Sequence, residues 1–458
     1  MPDRPIPTGR VRRTARLGGL AGEQAARAAA NRAANVVRTR ERREAALERW
    51  QLQAAEQMVE VLGNMKGAAM KVGQIASFMD TPALPPEVRE RMQAKLAELR
   101  DSAPQMAFGD MRKIIEEDLE MPLEEAFAEW DEHAIAAASI GQVYRARLHD
   151  GRDVAVKIQY PGVAQAVRVD MQNLGLILQV AKRVAPGLDA KAAAEEIRER
   201  FTEELDYEHE AQSQRAIARA WRGHPFVVIP NVVTELSRER VLVTEFAEGI
   251  GFEAVRELPQ PDRDRFGEII FRFFFGCLYR TGHFSGDPHP GNYLLMPDGR
   301  VAFLDFGMTK KMPRDLMDTH VDAIRLALEG DAEGVRANFA ARGFFDPADE
   351  RISADLLLEH LFAVAGWYLD DRERRIEPDY VEQVLFDFGD PRSSNWSRLR
   401  HVTVPPESLL PLRMEILTLG VLSRLEAKAN WHGIAREMFF GDPPATELGQ
   451  QEHSFWSR

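Results

Sequence analysis

The sequence has a single cysteine, Cys277, so it can form neither an intrachain disulfide nor a cysteine-rich metal centre. That usage fits a reducing compartment. No stretch approaches the ~18 uninterrupted apolar residues of a membrane span. The most apolar run, Phe271–Tyr279, is short and contains Arg272. No apolar segment follows the early arginines, so no secretory leader is expected. A positive balance is lacking too. The formal net charge is −13, which speaks against a dedicated nucleic-acid binder. These absences lead to the expectation of a cytoplasmic chain with no transmembrane segment.

What is present is unevenly spread. Residues 1–50 carry twelve arginines against five acids, a local charge of about +7, so the remainder sums to about −20. A basic arm of that kind suits contact with the anionic inner face of a membrane, or simply solvation. The length of 458 residues predicts more than one structural unit.

Along the chain, residues 1–50 read as a basic arm and helix. Residues 51–122 read as a helical extension. Leu52, Met58, Val59, Leu62, Met65, Ala69, Val72 and Ile75 recur at helical spacing until Thr81–Pro86 stops them. Pro85–Leu99 and Phe108–Leu119 predict two further helices. The pattern changes at 123. Ile135–Arg147 and Val154–Gln159 read as strands joined through Asp150-Gly151, a hairpin signal. A long helix over Ala192–Arg222 and strands over Phe226–Val233 and Arg240–Phe246 complete a β-rich unit, 123–248. Residues 249–440 read as mostly helical, opening with an apolar helix over Pro261–Arg280 and interrupted by short strands at Tyr293–Leu295 and Val301–Leu304. The polar stretch 441–458 reads as a flexible tail. Such an order describes an α+β, two-lobed protein.

Four segments carry chemistry. Val154-Ala155-Val156-Lys157 puts a compact cation on a strand, the form of the V-A-I-K lysine that pairs with α- and β-phosphates. Alone, a strand-end lysine is usually just solvated. Asp287-Pro288-His289-Pro290-Gly291-Asn292 matches D-x-x-x-x-N. There the aspartate orients the attacking group and the asparagine binds metal. Asp305-Phe306-Gly307 follows after a strand and offers a second metal-binding oxygen. Asn292, Asp305 and substrate phosphates suit Mg²⁺, which rarely takes a complete protein cage. Val243–Gly249 ends a strand before the helical unit, as an interlobe hinge would, with Glu245 and Ala247 as the adenine-binding backbone. A second Asp-Phe-Gly, Asp387–Gly389, has no D-x-x-x-x-N turn before it and reads as a helix end.

A loop of Ala136-Ala137-Ala138-Ser139-Ile140-Gly141-Gln142 stands where a kinase carries its glycine-rich loop. Alanine's Cβ disfavours the positive φ that glycine allows, so the loop should be stiffer over the phosphates. Ala137, Ala138, Ser139, Gly141 and Gln142 are the candidate phosphate-loop residues. Lys71-Val72-Gly73-Gln74 (K-x-G-Q) and Glu204-Leu205-Asp206 (E-x-D) are two further motifs.

Together these motifs resemble the UbiB/AarF-type atypical kinase-like family of the protein-kinase-like superfamily, over roughly residues 15–440. The resemblance implies a kinase-like fold whose N-terminal helical extension packs over the nucleotide cleft, with Lys71 approaching Glu204 and Asp206 and Gln74 a further residue of that regulatory extension. It implies ATP and Mg²⁺ as cofactors, with Lys157 as the phosphate lysine and Asp287 as the catalytic aspartate. Glu210 is the expected ion-pair partner of Lys157, with Glu204 second. It links the chain to isoprenoid-quinone or lipid metabolism and to proteins of that pathway. Two departures stand out. Ser285-Gly286 replaces the His-Arg pair before the catalytic aspartate, and no A-P-E follows Asp305. The expected activity is therefore an ATPase or a small-molecule or lipid kinase. A nucleotide-sensing scaffold and a conventional protein Ser/Thr kinase are the alternatives.

Overall fold

The computed structural model describes residues 106–138, 140–165, 167–168, 205–389, 396–399 and 402–457. Helix α1 (Phe108–Leu119) buries Met111, Ile114, Ile115 and Leu119, a one-faced spacing of three and four. The short α2 (Leu123–Ala126) leads to β1 (Glu129–Trp130), β2 (Ala136–Ala137), β3 (Gly141–Arg147) and β4 (Asp153–Gln159). Val154, Val156 and Ile158 point one way along β4 and are fully buried, while Ala155 and Lys157 alternate to the other face. The β3–β4 turn closes as expected at Asp150-Gly151, with Gly151 at φ +90°. These strands and β6 (Val241–Glu245) form a sheet of order β1-β3-β4-β6, with β2 antiparallel to β3.

The chain groups into two compact units. The first comprises residues up to Glu125, Trp130–Arg145 and Lys157–Leu205; the second comprises Ala126–Glu129, Ala146–Val156 and Asp206–Arg458. In the first unit, Phe108 stacks on Trp130 at 5.8 Å and Trp130 leans on Tyr144 at 5.4 Å, fastening α1 to the strands.

The second unit contains α3 (Tyr207–Ala220), the strands β5 (Val227–Val228) and β6, α4 (Phe252–Arg256) and the central α5 (Gln260–Gly276). From Phe266 onward nearly every residue of α5 is buried, as befits a helix that is apolar all round. Phe273 stacks on Phe303 at 3.6 Å and Phe271 on Phe275 at 4.1 Å. A π-turn, Cys277–Thr281, releases the chain into β7 (His283–Ser285). Strands β8 (Tyr293–Leu295), β9 (Val301–Phe303) and β10 (Thr309–Lys311) follow. β9 pairs parallel to β5 and antiparallel to β8, and β10 pairs antiparallel to β7. Then come α6 (Arg314–Leu328), α7 (Ala332–Ala341), α8 (Ala354–Leu369), β11 (Arg374–Arg375), α9 (Pro378–Gly389), α10 (Trp396–Leu399), α11 (Pro406–Leu425), β12 (Lys428–Ala429), α12 (Trp431–Phe439) and α13 (Glu447–Trp456). The second Asp-Phe-Gly closes α9, as a helix end should.

Three expectations are corrected. The strand over Phe226–Val233 is only β5 plus a bridge from Val232 to Thr244, because Pro230 cannot donate to a ladder. The helix expected over Ala192–Arg222 is not continuous at Leu205–Asp206: α3 starts at Tyr207, with Asp206 as its N-cap accepting from Glu208 and His209 N–H, and 192–204 lie outside the described residues. The tail at 441–458 is not loose. Thr446 caps α13, Leu448 is buried, and Glu452 is fully buried against Arg272 at 2.7 Å. Its Trp456 packs edge-on to Trp221 at 5.3 Å, and with the Glu452 ion pair these scattered anchors leave no apolar stripe to read.

Candidate active site

The loop after β7 is built from turn chemistry. Pro290 opens a single 3₁₀ turn, Pro290–Asn292, and His289 Nδ1 accepts the Gly291 N–H at 3.1 Å. That turn folds Asn292 back on Asp287. Its Nδ2 donates to the Asp287 carbonyl oxygen at 3.3 Å and to Asp287 Oδ2 at 3.4 Å. With Nδ2 so used, Oδ1 is the side-chain oxygen left to face a cation. Asp287 itself is 7% exposed.

A second loop meets the first. Leu304 N–H donates to the Asn292 carbonyl at 2.8 Å, continuing the β8–β9 pairing into the residue before Asp305. Asp305 Oδ1 then accepts the Gly307 N–H at 3.0 Å, a local turn that sets the carboxylate. A Cβ placed on Gly307 would lie 3.4 Å from Glu210 Oε2 and 3.5 Å from Asp305 Oδ1. Glu210 of α3 and Asp305 therefore flank the same glycine, and Glu210 is buried. One turn further along α3, Ser213 receives the Thr309 hydroxyl at 2.9 Å, so β10 is tied to the helix that carries Glu210.

One participant was not foreseen. Arg413 of α11 is buried. Its Nη1 donates to the Gly286 carbonyl at 2.8 Å and lies 3.0 Å from Met308 Sδ, while its Nη2 stands 3.6 Å from Asp287 Oδ1. Burial lowers the pKa of its guanidinium and the charge of Asp287 pulls it back up, with burial the larger effect. A sequence signal did exist: Arg413 and Glu415 interrupt an otherwise apolar helical run from Leu409 to Leu419.

The other predicted residues lie on other elements. Lys157 sits on β4 in the first unit, on the strand face opposite the buried valines. Ala136 and Ala137 form β2, and Ala138 N–H donates to the Gly141 carbonyl at 2.8 Å, so the alanine segment is a tight hairpin. The Gln142 side chain is buried and committed, accepting from Met106 N–H and donating to Tyr144 Oη at 2.9 Å. Glu245 Oε2 accepts both the backbone N–H and Nδ2 of Asn231, at 3.1 and 2.9 Å, and Ala247 follows β6. Lys71, Gln74, Ser139 and Glu204 lie outside the described residues.

Among the described residues no cluster of three or more His, Cys, Asp or Glu could hold a metal by itself, and no helix is long and apolar enough to cross a membrane. The oxygens of Asn292 and Asp305 are hard donors that fit Mg²⁺, an ion that completes its shell with water and phosphate.

Comparison with known proteins gives a consistent result. Residues 98–339 match the ABC1 atypical kinase-like domain. The mitochondrial atypical kinase COQ8B of Rattus norvegicus is 32% identical over 324 residues, covering 69% of this chain and 60% of the rat protein. The mitochondrial atypical kinase coq-8 of Caenorhabditis elegans is 30% identical over 402 residues, covering 84% of this chain and 50% of the worm protein. The chain thus spans between half and three fifths of these relatives. Rv3197 of Mycobacterium tuberculosis, solved in complex with erythromycin, has a TM-score of 0.63 and 30% identity, covering 88% of this chain and 100% of that one. With the kinase-like fold and the ordered D-x-x-x-x-N and DFG loops, the match across residues 98–339 means that the chain belongs to the ABC1 atypical kinase-like family.

Proposed function

We propose that the chain is a Mg²⁺–ATP-dependent atypical kinase or ATPase that acts in, or supports, isoprenoid-quinone or lipid metabolism. The observation that carries this reading is the 2.8 Å backbone hydrogen bond from Leu304 to Asn292, which ties the loop of Asp287 and Asn292 to the strand running into Asp305. Asp287 orients the attacking hydroxyl or water and accepts its proton. Asn292 steadies the Asp287 carboxylate through Nδ2 and presents Oδ1; Asp305 presents a carboxylate. Mg²⁺ held by those two oxygens supplies charge neutralisation for the transferring phosphoryl group. Lys157 takes the α- and β-phosphates, Glu210 is the buried acid of the site, and the backbone at Glu245 and Ala247 takes adenine. By the family resemblance, Ala137, Ala138, Ser139, Gly141 and Gln142 are the phosphate-loop residues. Mitochondrial and chloroplastic relatives at 29–32% identity support the quinone assignment by kinship alone.

Thermal stabilisation and turnover test this together. Mg²⁺–ATP should raise the melting temperature of the wild type, and Asp305→Asn should lose most of that rise. Asp287→Asn should keep the rise and lose turnover by about 10²- to 10⁴-fold, the range of general acid–base contributions. Unchanged hydrolysis in Asp287→Asn would remove Asp287 from its role. The erythromycin complex of the mycobacterial neighbour favours a second reading, a nucleotide-sensing module that binds bulky amphiphiles with little turnover. Calorimetric titration of erythromycin, with and without Mg²⁺–ATP, separates the two: nucleotide-dependent binding without hydrolysis selects the module.

A further inference from the structure

We infer that Arg413 is a positioning residue for the Asp287 loop, supplying from a distant helix the cation that a His-Arg-Asp loop carries next to its aspartate. This inference rests on the catalytic role proposed for Asp287. The guanidinium comes from 127 positions beyond Gly286. It reaches both motif loops at once, through the Gly286 carbonyl and Asp287 on one side and Met308, next to the DFG glycine, on the other. Gly286 N–H also donates to the Met308 carbonyl at 2.8 Å, so Arg413 sits on the seam where the two loops are stitched.

The Ser-Gly-Asp sequence makes sense in this light. A Cβ on Gly286 would come within 2.3 Å of Leu410 Cδ1 and 2.6 Å of its Cγ. Leu410 and Arg413 are three apart on α11 and so share a face. The helix lays Leu410 into the space a side chain at 286 would fill, and the guanidinium onto the carbonyl and carboxylate beside it. A side chain at 286 would have to displace Leu410, and the positive charge beside Asp287 comes from the helix instead. Arginine suits the task because it cannot lose its proton in a protein and its planar fork serves several acceptors together. Removing it takes a donor from the Gly286 carbonyl and a nearby cation from the nearly buried Asp287 carboxylate. The loop is then free to move by a fraction of an ångström, which a phosphoryl-transfer geometry does not tolerate.

The test uses the full chain, with Mg²⁺–ATP hydrolysis for turnover and calorimetry for nucleotide affinity. Arg413→Ala should lower kcat about 10²-fold, the cost of a small misplacement, and leave the dissociation constant for Mg²⁺–ATP within about threefold. Arg413→Lys should recover part of the loss, and low-millimolar guanidinium should restore several-fold activity to Arg413→Ala. In Asp287→Asn, adding Arg413→Ala should cost little more, since the two act as one unit. Additive losses, absent guanidinium rescue with a folded Arg413→Ala protein, or full turnover in Arg413→Lys and Arg413→Ala would overturn the inference. If Arg413→Ala fails to fold, Arg413→Lys and its double variant decide by the same additivity. Full turnover in Asp287→Asn would instead overturn the catalytic reading beneath it.

Discussion

Two buried arginines of the second unit face opposite electrostatic situations. Arg272, on the central α5, has no exposed surface and is surrounded: Glu268 at 2.7 Å, Glu437 at 2.8 Å, Glu452 at 2.7 Å and the Thr446 hydroxyl at 2.9 Å. Burial pulls its pKa down, but the Glu437 hydrogen bond and the charges of Glu268, Glu452 and Glu437 together carry it up. Arg413 has a carboxylate at 3.6 Å, a carbonyl and a thioether, and for it burial prevails. The first arginine closes a structural latch between α5, α12 and α13. The second lies against the loop that carries Asp287. Paired acids carry the first guanidinium's pKa up, whereas burial takes the second one's down.

The sharpest way to break that contrast is Arg272→Met. It strands three carboxylates in the interior and should destabilise by roughly 3–5 kcal/mol, the cost of orphaning a buried charge. Denaturant unfolding reads it, and α13 should become protease-sensitive first. Arg413→Met should cost clearly less stability and far more turnover. Equal stability losses would dissolve the distinction.

A second pair tests the same idea with acids. Burial raises Glu415 to about 7, opposed by hydrogen bonds from Tyr279 at 3.0 Å and Tyr368 at 3.2 Å. Burial also pushes Glu452 up, but His224 and the arginines 272 and 280 bring it down to about 2. The signs are therefore opposite. Glu415 has a folded pKa above its unfolded value of 4.5, so its stability contribution is complete below that pH and is lost as pH rises through 7. Glu452 has a folded pKa below its unfolded value of 4.5, so its contribution is present above that pH and is lost as pH falls toward 2. Glu415→Gln should flatten the decline in stability between about pH 4.5 and 7, worth a few kcal/mol. An unchanged pH profile in urea unfolding would place the proton elsewhere.

The smallest expected effect is Gly286→Ala. Its methyl meets Leu410 at 2.3 Å and should cost about 1–3 kcal/mol by overpacking. Adding Leu410→Ala should return the melting temperature towards that of Leu410→Ala alone. If Gly286→Ala is neutral, α11 does not seat against the catalytic loop.

Much of the frame was legible locally. The β3–β4 hairpin follows from Asp150-Gly151 between alternating strands, and α5 from its apolar run. The Asp287–Asn292 turn and the DFG loop were readable because their geometry is encoded within six residues by proline, glycine and Asx chemistry. Glu210, expected as the partner of Lys157, flanks Gly307 beside Asp305, a neighbour that no local pattern announces. The break at Leu205–Asp206 was missed because an acidic cap looks like any other helix acid when its neighbours are also helix formers. Helix α13 was missed because polarity alone suggested solvent.

The sequence by itself determined the D-x-x-x-x-N and DFG motifs and their order along the chain, since those motifs are short and their turns are local. Only the tertiary structure decided what holds them. The arginine on Asp287 comes from α11, and the acids on Arg272 come from α12 and α13 as well as its own helix. Charge pairing across such separations leaves no periodicity to read, because Coulomb attraction depends on distance in space and not on spacing in the chain.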